Sequence, residues 1–529
     1  MSNLGRERLR WLGAAAGITA FLFGCGVSSL SAQEKDRKLT ISLADLPKLQ
    51  YDPSTAPGPA KVYQVLMYDY LVGVKPNGQF DNAFGVAESW EYAADGKTWS
   101  AKIRSGLKFS DGSPLTIDDV VFSLKRVIDP KATSSGGSSL RAVISDIRKS
   151  DDSTLVIDLK QRYLFIPQLL SRLGATDGAI VSQSYFNRVG SAEFASKPMG
   201  SGPYKLNGTS TSVDLKFDRN DHHSRRNSYD KYANIVMYST PEEQTRLAQV
   251  MRGEADIVGI SAEAAARLKG NTTVKVAEQP GKANLSISYH EQWKPENPLS
   301  NPKVREALNL AINRQEIIET LLNGLGKSYG VPQLGPAHIG FDPSKFRPYE
   351  YNPQRAKALL AEAGYGAKPL ELSVYKYNWP GAPELPLVME AVAGYFQAVG
   401  VKVKIIQSEY NTVREQWGKF TLGASVSAMA TDNRPVYPIE LIWSAKGTLR
   451  FSQDPTLDQL IGAWAAATNL PDAESAIQKA AQYIRDENVG TSIVSLSTLY
   501  GLGKNVQPWS TLQSVLPFEM SLDGLLTGG

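Results

Sequence analysis

The sequence predicts an α/β protein built from two or three packed units. Three observations carry that reading. The chain has 529 residues, well beyond what one compact core usually holds. Short β-branched or alternating runs interleave with amphipathic helical stretches along it, which is the pattern of α/β layering. Its 42% hydrophobic and 21% charged residues are ordinary for a soluble globular protein.

The elements follow in order. Leu39-Thr40-Ile41-Ser42-Leu43 suits a first strand, and residues 99–109 alternate roughly, suiting another. Asp111-Gly112-Ser113-Pro114 is turn chemistry. Thr116, with Asp119 three residues later, starts a helix at Ile117. Residues 131–139 are rich in Ser and Gly and read as an exposed loop, and Thr154–Leu159 reads as a strand. Pro241-Glu242-Glu243 opens a helix that ends near Gly253, and Asp256-Ile257-Val258 follows as a strand. Asn301-Pro302 and Asn352-Pro353 each place a capping residue before a proline at the first helical position. Val304, Leu308, Ala311 and Ile312 then share one face, and Gly364 stops the second of these helices. Residues 387–399 form a helix, and Val401-Lys402-Val403-Lys404-Ile405 alternates as a strand.

The N-terminus reads as an export signal over residues 1–32. Arg6, Arg8 and Arg10 precede an apolar run over residues 11–23, which is short for a membrane span, and small residues follow. Cys25 is the only cysteine. Leu22-Phe23-Gly24-Cys25 resembles a lipidation box, although Phe23 stands where a small residue is usual; cleavage after Ala32 is the alternative. No disulfide framework is available. The formal charge is +4, of which Arg6, Glu7, Arg8 and Arg10 supply +2, leaving about +2. That excludes nucleic acid as the expected partner.

Motifs for chemistry fail on inspection. Gly326-Lys327-Ser328 resembles the end of a phosphate-binding loop, but Leu321 stands where that loop needs glycine. His222-His223 beside Asp221 reads as a solvated loop, with no metal-ligand spacing around it. No G-x-S-x-G is present, and Gly200-Ser201-Gly202-Pro203-Tyr204 reads as a turn. No catalytic residue, metal site or cofactor is expected.

Several stretches together resemble the family 5 extracellular solute-binding proteins, the dipeptide/oligopeptide-binding group of ABC importers. Val86-Ala87-Glu88-Ser89-Trp90-Glu91, Asp95-Gly96-Lys97-Thr98-Trp99 and Leu107 to Thr116 match its signature, completed by Asp118 to Leu124. Pro198 to Tyr204, Arg252 to Ile257, Asn301 to Asn323 and Tyr351 to Tyr365 are similar to four further blocks in family order. The resemblance implies a two-lobed, type II binding-protein clamshell. Lobe I, with an extra subdomain, would comprise residues 36–285 together with 495–529, and lobe II residues 286–494. It implies an exported, periplasmic, monomeric receptor without enzymatic activity. Such a receptor would deliver peptides or other small solutes to ABC permease subunits and meet the membrane only there or through a lipid on Cys25.

By the same resemblance, Asp432 in Ala430-Thr431-Asp432-Asn433 matches the carboxylate that meets a peptide's amino terminus. Trp379 stands where dipeptide binders carry an arginine for the ligand carboxylate, which argues against a strict dipeptide specialist. Tyr377, Tyr410, Asn433, Arg434 and Tyr437 complete the expected ligand-binding set, with Arg434 a substitute carboxylate partner. Relatives that take opines, glycosides, metal chelates or haem keep a non-peptide ligand as the alternative. Trp90 and Trp99 belong to the structural signature and are expected in the core.

Overall fold

The computed structural model describes residues 37–46, 49–134, 136–211, 213–336, 338–379, 382, 384–431, 439–445, 447, 450–509 and 522–527. The expected export signal with Cys25, and the expected ligand residues Asp432, Asn433, Arg434 and Tyr437, lie outside these.

Fourteen strands are found among the described residues: β1 (Lys38–Leu43), β2 (Ala87–Tyr92), β3 (Thr98–Ile103), β4 (Ile144–Lys149), β5 (Thr154–Leu159), β6 (Tyr204–Leu206), β7 (Asp214–Arg219), β8 (Asn234–Ser239), β9 (Ile257–Ile260), β10 (Lys275–Tyr289), β11 (Glu371–Lys376), β12 (Lys402–Gln407), β13 (Ser425–Thr431) and β14 (Gly490–Leu502). Ten form one mixed sheet in the order β12-β11-β13-β10-β14-β9-β1-β8-β7-β6. The other four form an antiparallel sheet, β2-β3-β5-β4.

Helix boundaries follow the local chemistry. Before the helix Ile117–Ile128, one Asp119 oxygen accepts from the backbone N–H and the hydroxyl of Thr116, each at 2.8 Å. The other oxygen accepts from the Gln183 N–H at 2.8 Å and ties the cap to a distant segment. Asn301 and Asn352 accept from the N–H groups of Lys303 and Arg355, opening Pro302–Ala311 and Pro353–Leu360. The helix Glu243–Arg252 closes on Gly253 at φ 75°, and Gly364 stands at φ 93°, left-handed positions that glycine adopts without penalty.

Four expectations need correction. Residues 99–109 are not one strand: β3 ends at Ile103, and Lys108 pairs back with Pro114 around the Asp111–Ser113 turn. Residues 131–139 are not an exposed loop throughout. Ser134 is buried, the N–H groups of Thr133 and Ser134 both reach the Ser54 carbonyl at 3.1 Å, and a helix begins at Gly137. His223 is not solvated; its side chain is fully buried, 3.2 Å from Asp69. Trp99 is buried as expected, whereas Trp90 is only half-buried against the core.

β10 and β14 are the longest strands, at 15 and 13 residues. At ~3.3 Å per residue, β10 reaches about 50 Å, enough to run through two packed units. Its first half pairs with the end of β14, which in turn pairs with β9. Its second half pairs with the start of β14 on one side and with β13 on the other. The register shifts twice, between Gln279 and Ala283, opposite the Leu496–Thr498 stretch, and again between Leu285 and Ser286. Lys327 adds a two-hydrogen-bond bridge to Ser495 at this place.

One apolar core lies around β1, β8 and β9, with Leu39, Ile41, Ile235, Ile257 and Leu502. A second runs from the four-stranded sheet, with Trp99 and Ile157, to the units around β10–β13. These parts of the second core meet where Phe165 stacks on Trp464, ring centroids 5.2 Å apart and planes 16° apart. Buried Arg305 and Arg314 fasten the helix Pro302–Ala311 by donating to carbonyls, including those of Glu487, Asn488 and Ser492. No helix among the described residues is long and apolar enough to cross a membrane.

Candidate ligand site

β11 and β13 run parallel and in register, Ser373 beside Ser425 and Tyr375 beside Ser427. Their carboxyl ends therefore lie side by side, the place where open α/β sheets present binding groups. Tyr377 and Trp379 follow the end of β11, and the chain passes directly from Thr431 at the end of β13 to Asp432. Thr431 is also the cross-strand partner of Asn284 in β10. The last residue of β13 thus lies beside β10, the strand that runs along both halves of the large sheet.

Three of the expected ligand residues form one aromatic cluster. Tyr410 meets Trp379 edge-on at 4.5 Å between centroids and Tyr377 at 5.6 Å. Tyr377 and Trp379 are 6.4 Å apart. Tyr377 is buried, and its hydroxyl donates to the Ala428 carbonyl in β13, which fixes the ring. Burial pushes its pKa far above the ordinary phenol value, so it remains a neutral donor. Trp379 and Tyr410 are half-buried and keep ring surface accessible. Burial also raises the Tyr410 pKa, against the opposing effect of Arg414.

Sequence reasoning missed Arg414. It stands one turn beyond Tyr410 in the helix Tyr410–Gly418, half-buried, with its guanidinium 5.8 Å from the Trp417 ring centroid. The i, i+4 spacing from Tyr410 was the available signal. Lys376, by contrast, is engaged in an ion pair with Glu390.

A second missed feature is the polar lining of the long strands. Gln279, Asn284, Ser286, Ser288, Ser492 and Ser495 are all buried along β10 and β14. Both side-chain atoms of Gln279, at the register shift, are without a partner among the described residues. Buried polar groups are normally satisfied, so a strip of them at a joint is a feature to explain.

The histidine motif has a structural role. Burial pushes the Asp69 carboxyl upward, but His223, Arg225 and Ser201 outweigh it and hold the group below its usual value. Among the described residues, no group of three or more His, Cys, Asp or Glu could hold a metal ion.

Comparison with known proteins places this architecture. A sequence profile of bacterial extracellular solute-binding proteins, family 5, middle, matches residues 84–448. The chain is 29% identical over 401 residues to a dipeptide-binding protein of Escherichia coli (strain K12), covering 70% of this chain and 68% of that protein. It is 28% identical over 393 residues to heme-binding protein A of Haemophilus influenzae, covering 69% of each. A solved structure of the periplasmic binding protein DppA from Helicobacter pylori, in complex with peptide STSA, superposes with a TM-score of 0.74 at 20% identity. That match covers 92% of this chain and 98% of the other. The fold is the two-lobed, type II binding-protein clamshell, and the chain belongs to the bacterial extracellular solute-binding proteins of family 5.

Proposed function

We propose that this protein is the exported receptor of an ABC importer, capturing a peptide or peptide-like solute between its lobes and handing it to the permease. The observation that carries the reading is the cluster of Tyr377, Trp379 and Tyr410 at the carboxyl ends of β11 and β13, where the chain continues to Asp432. Clustered aromatic rings supply flat apolar area, and the Asp432 carboxylate is assigned to pair with a ligand ammonium. The E. coli relative, a dipeptide-binding protein, supports the peptide class.

The lobes are assigned as residues 36–285 with 495–529, and 286–494. β10 and β14 connect them, and the register shift at Gln279–Ala283 is the bending point. Ligand contacts made only in the closed form drive closure. Residues 1–32 direct export to the periplasm, Cys25 carries a lipid if the first cleavage site is used, and the receptor acts as a monomer. The relatives are named as binding proteins, and capture without turnover is the role assigned here.

Mass spectrometry of the small molecule that co-purifies with the protein tests this reading directly. A peptide supports it, and a released reaction product overturns it. The second reading keeps the receptor role and changes the solute. Trp379 favours it, because an indole in place of a guanidinium suits a ring better than a carboxylate, and the relative from Haemophilus influenzae is a heme-binding protein. A thermal-shift screen of peptides, opines, glycosides, chelates and haem separates the two, since a ligand that binds only the folded state raises its melting temperature.

A further inference from the structure

A second cavity lies away from the aromatic cluster of Trp379 and is walled in part by charge. It measures about 20 Å³, and Asp69, Tyr70, Phe84, Arg172, Arg225 and Tyr229 are on its lining. One water needs ~10–15 Å³ of such space, so there is room for a single small ion and none for an organic solute. Val65, Val72 and Val74 complete an otherwise apolar wall.

The charged groups differ in how far they are met. The Asp69 carboxylate is engaged by His223, 3.2 Å away with its side chain fully buried. Asp81, three residues before Phe84, is paired with Lys75 at 2.9 Å. Arg172 has a partner of its own. Arg225 is the exception. It is half-buried and makes no ion pair among the described residues. Its Nη1 is buried and has no hydrogen-bond partner among them. The guanidinium carbon lies 4.2 Å from the Phe84 ring centroid and 5.4 Å from that of Tyr229. Two aromatic rings thus hold the group in place, while its N–H donors point along its own plane. A buried donor on a charged group that meets no acceptor is costly, and an ion is one of the few things that relieve it.

We propose that this cavity is a binding site for one small monovalent anion of chloride's size, held by the Arg225 guanidinium with Arg172 as the second cation of the wall. An anion meets the open donor and the unpaired charge of Arg225 together, whereas a water meets the donor alone. The apolar and aromatic lining strengthens the attraction by keeping bulk water away. Larger anions such as gluconate exceed the space. The stretch 68–74, Arg172 and Arg225 are far apart in sequence and share this wall. An anion that binds only where they are assembled stabilises the folded chain. The site is separate from solute capture and stands whatever the solute is.

Thermal melts of the purified protein in sodium chloride and in sodium gluconate, at an equal ionic strength of about 0.15 M, test the site in solution. The melting temperature is expected to be roughly 1–3 °C higher in chloride and to saturate with concentration as for a single site. Arg225→Gln keeps a side chain that donates but removes the charge, and it is expected to lose the chloride-specific rise. The comparison within each protein cancels general salt effects. Crystals grown with bromide in place of chloride are expected to show one anomalous peak against the Arg225 guanidinium. That measurement needs no variant, so with the wild-type melts it decides the matter if Arg225→Gln does not fold. Equal melting temperatures in the two salts, or a rise that folded Arg225→Gln retains, overturn the proposal. Water alone beside Arg225 in the bromide crystals overturns it too. A bromide peak without a chloride-specific rise marks an adventitious ion only, and the proposal falls.

Discussion

Phe165 lies stacked on Trp464, 5.2 Å between centroids and 16° between planes, and both rings are buried. Phe165 follows the four-stranded sheet and Trp464 stands in the helix Pro455–Ala465, so this pair bridges the unit of the four-stranded sheet and the helices that follow β13. Aromatic pairs contribute about 0.5–1.5 kcal/mol beyond the area they bury. Phe165→Ala is therefore expected to loosen the joint and widen the free protein. Small-angle scattering checks this, and a radius of gyration equal to wild type would show that the stack does not hold the lobes together. Ligand affinity should drop by about threefold to tenfold, the factor matching that energy range.

Trp379→Ala is expected to weaken the natural ligand while leaving the fold intact. The indole is half-buried and meets Tyr410 at one edge, so it has a face to offer. Truncation of a central interface aromatic typically costs about 2 kcal/mol or more, roughly thirtyfold in affinity. Tyr377→Phe should behave in the opposite way. Its hydroxyl serves the Ala428 carbonyl inside the sheet, and removing it leaves a buried acceptor unpaired, at about 1–3 kcal/mol of stability. Titration calorimetry beside thermal melts separates the two variants.

How much of this was legible depended on how far apart the determinants lie. The caps at Thr116, Asn301 and Asn352 were readable because donor and acceptor fall within three residues. The stops at Gly253 and Gly364 were equally local. His223 was misread because its neighbours Asp221 and His222 are exposed, whereas the partner that buries it, Asp69, is 154 positions away. The Ser/Gly stretch near Ser134 was misread for the same reason, since its partner is the Ser54 carbonyl. Tyr377, Trp379 and Tyr410 were named separately, and only the parallel pairing of β11 with β12 and β13 gathers them.

Asp432 is the sharpest test of the peptide class. A carboxylate that meets an ammonium in a dehydrated cleft leaves an unpaired charge when it is removed, at about 2–5 kcal/mol. Asp432→Ala should therefore weaken peptides with a free amino terminus by about thirtyfold or more. N-acetylated versions of the same peptides, which lack the ammonium, should be weak in the wild type and change little. Equal losses for both series would remove the amine-anchor role.

His290 is expected to make the stability of the protein depend on pH. Its ring is fully buried, 2.8 Å from the Ser427 hydroxyl and edge-on to Trp417 at 4.8 Å. Burial lowers its pKa from 6.5 to about 3. The folded protein therefore binds this proton more weakly than the unfolded chain does. The resulting stability is fully present above pH 6.5 and is lost as the pH falls toward 3, with a limiting slope of about 1.4 kcal/mol per pH unit. His290→Gln preserves a hydrogen-bonding side chain toward Ser427 but has no proton to gain. Carboxylates titrate in both proteins below about pH 5, so the informative window is pH 5 to 6.5. There, the denaturation midpoint of the wild type should fall more steeply with decreasing pH than that of His290→Gln, since the other three histidines are common to both. Parallel profiles in that window would show that the ring is protonated without cost in the folded state.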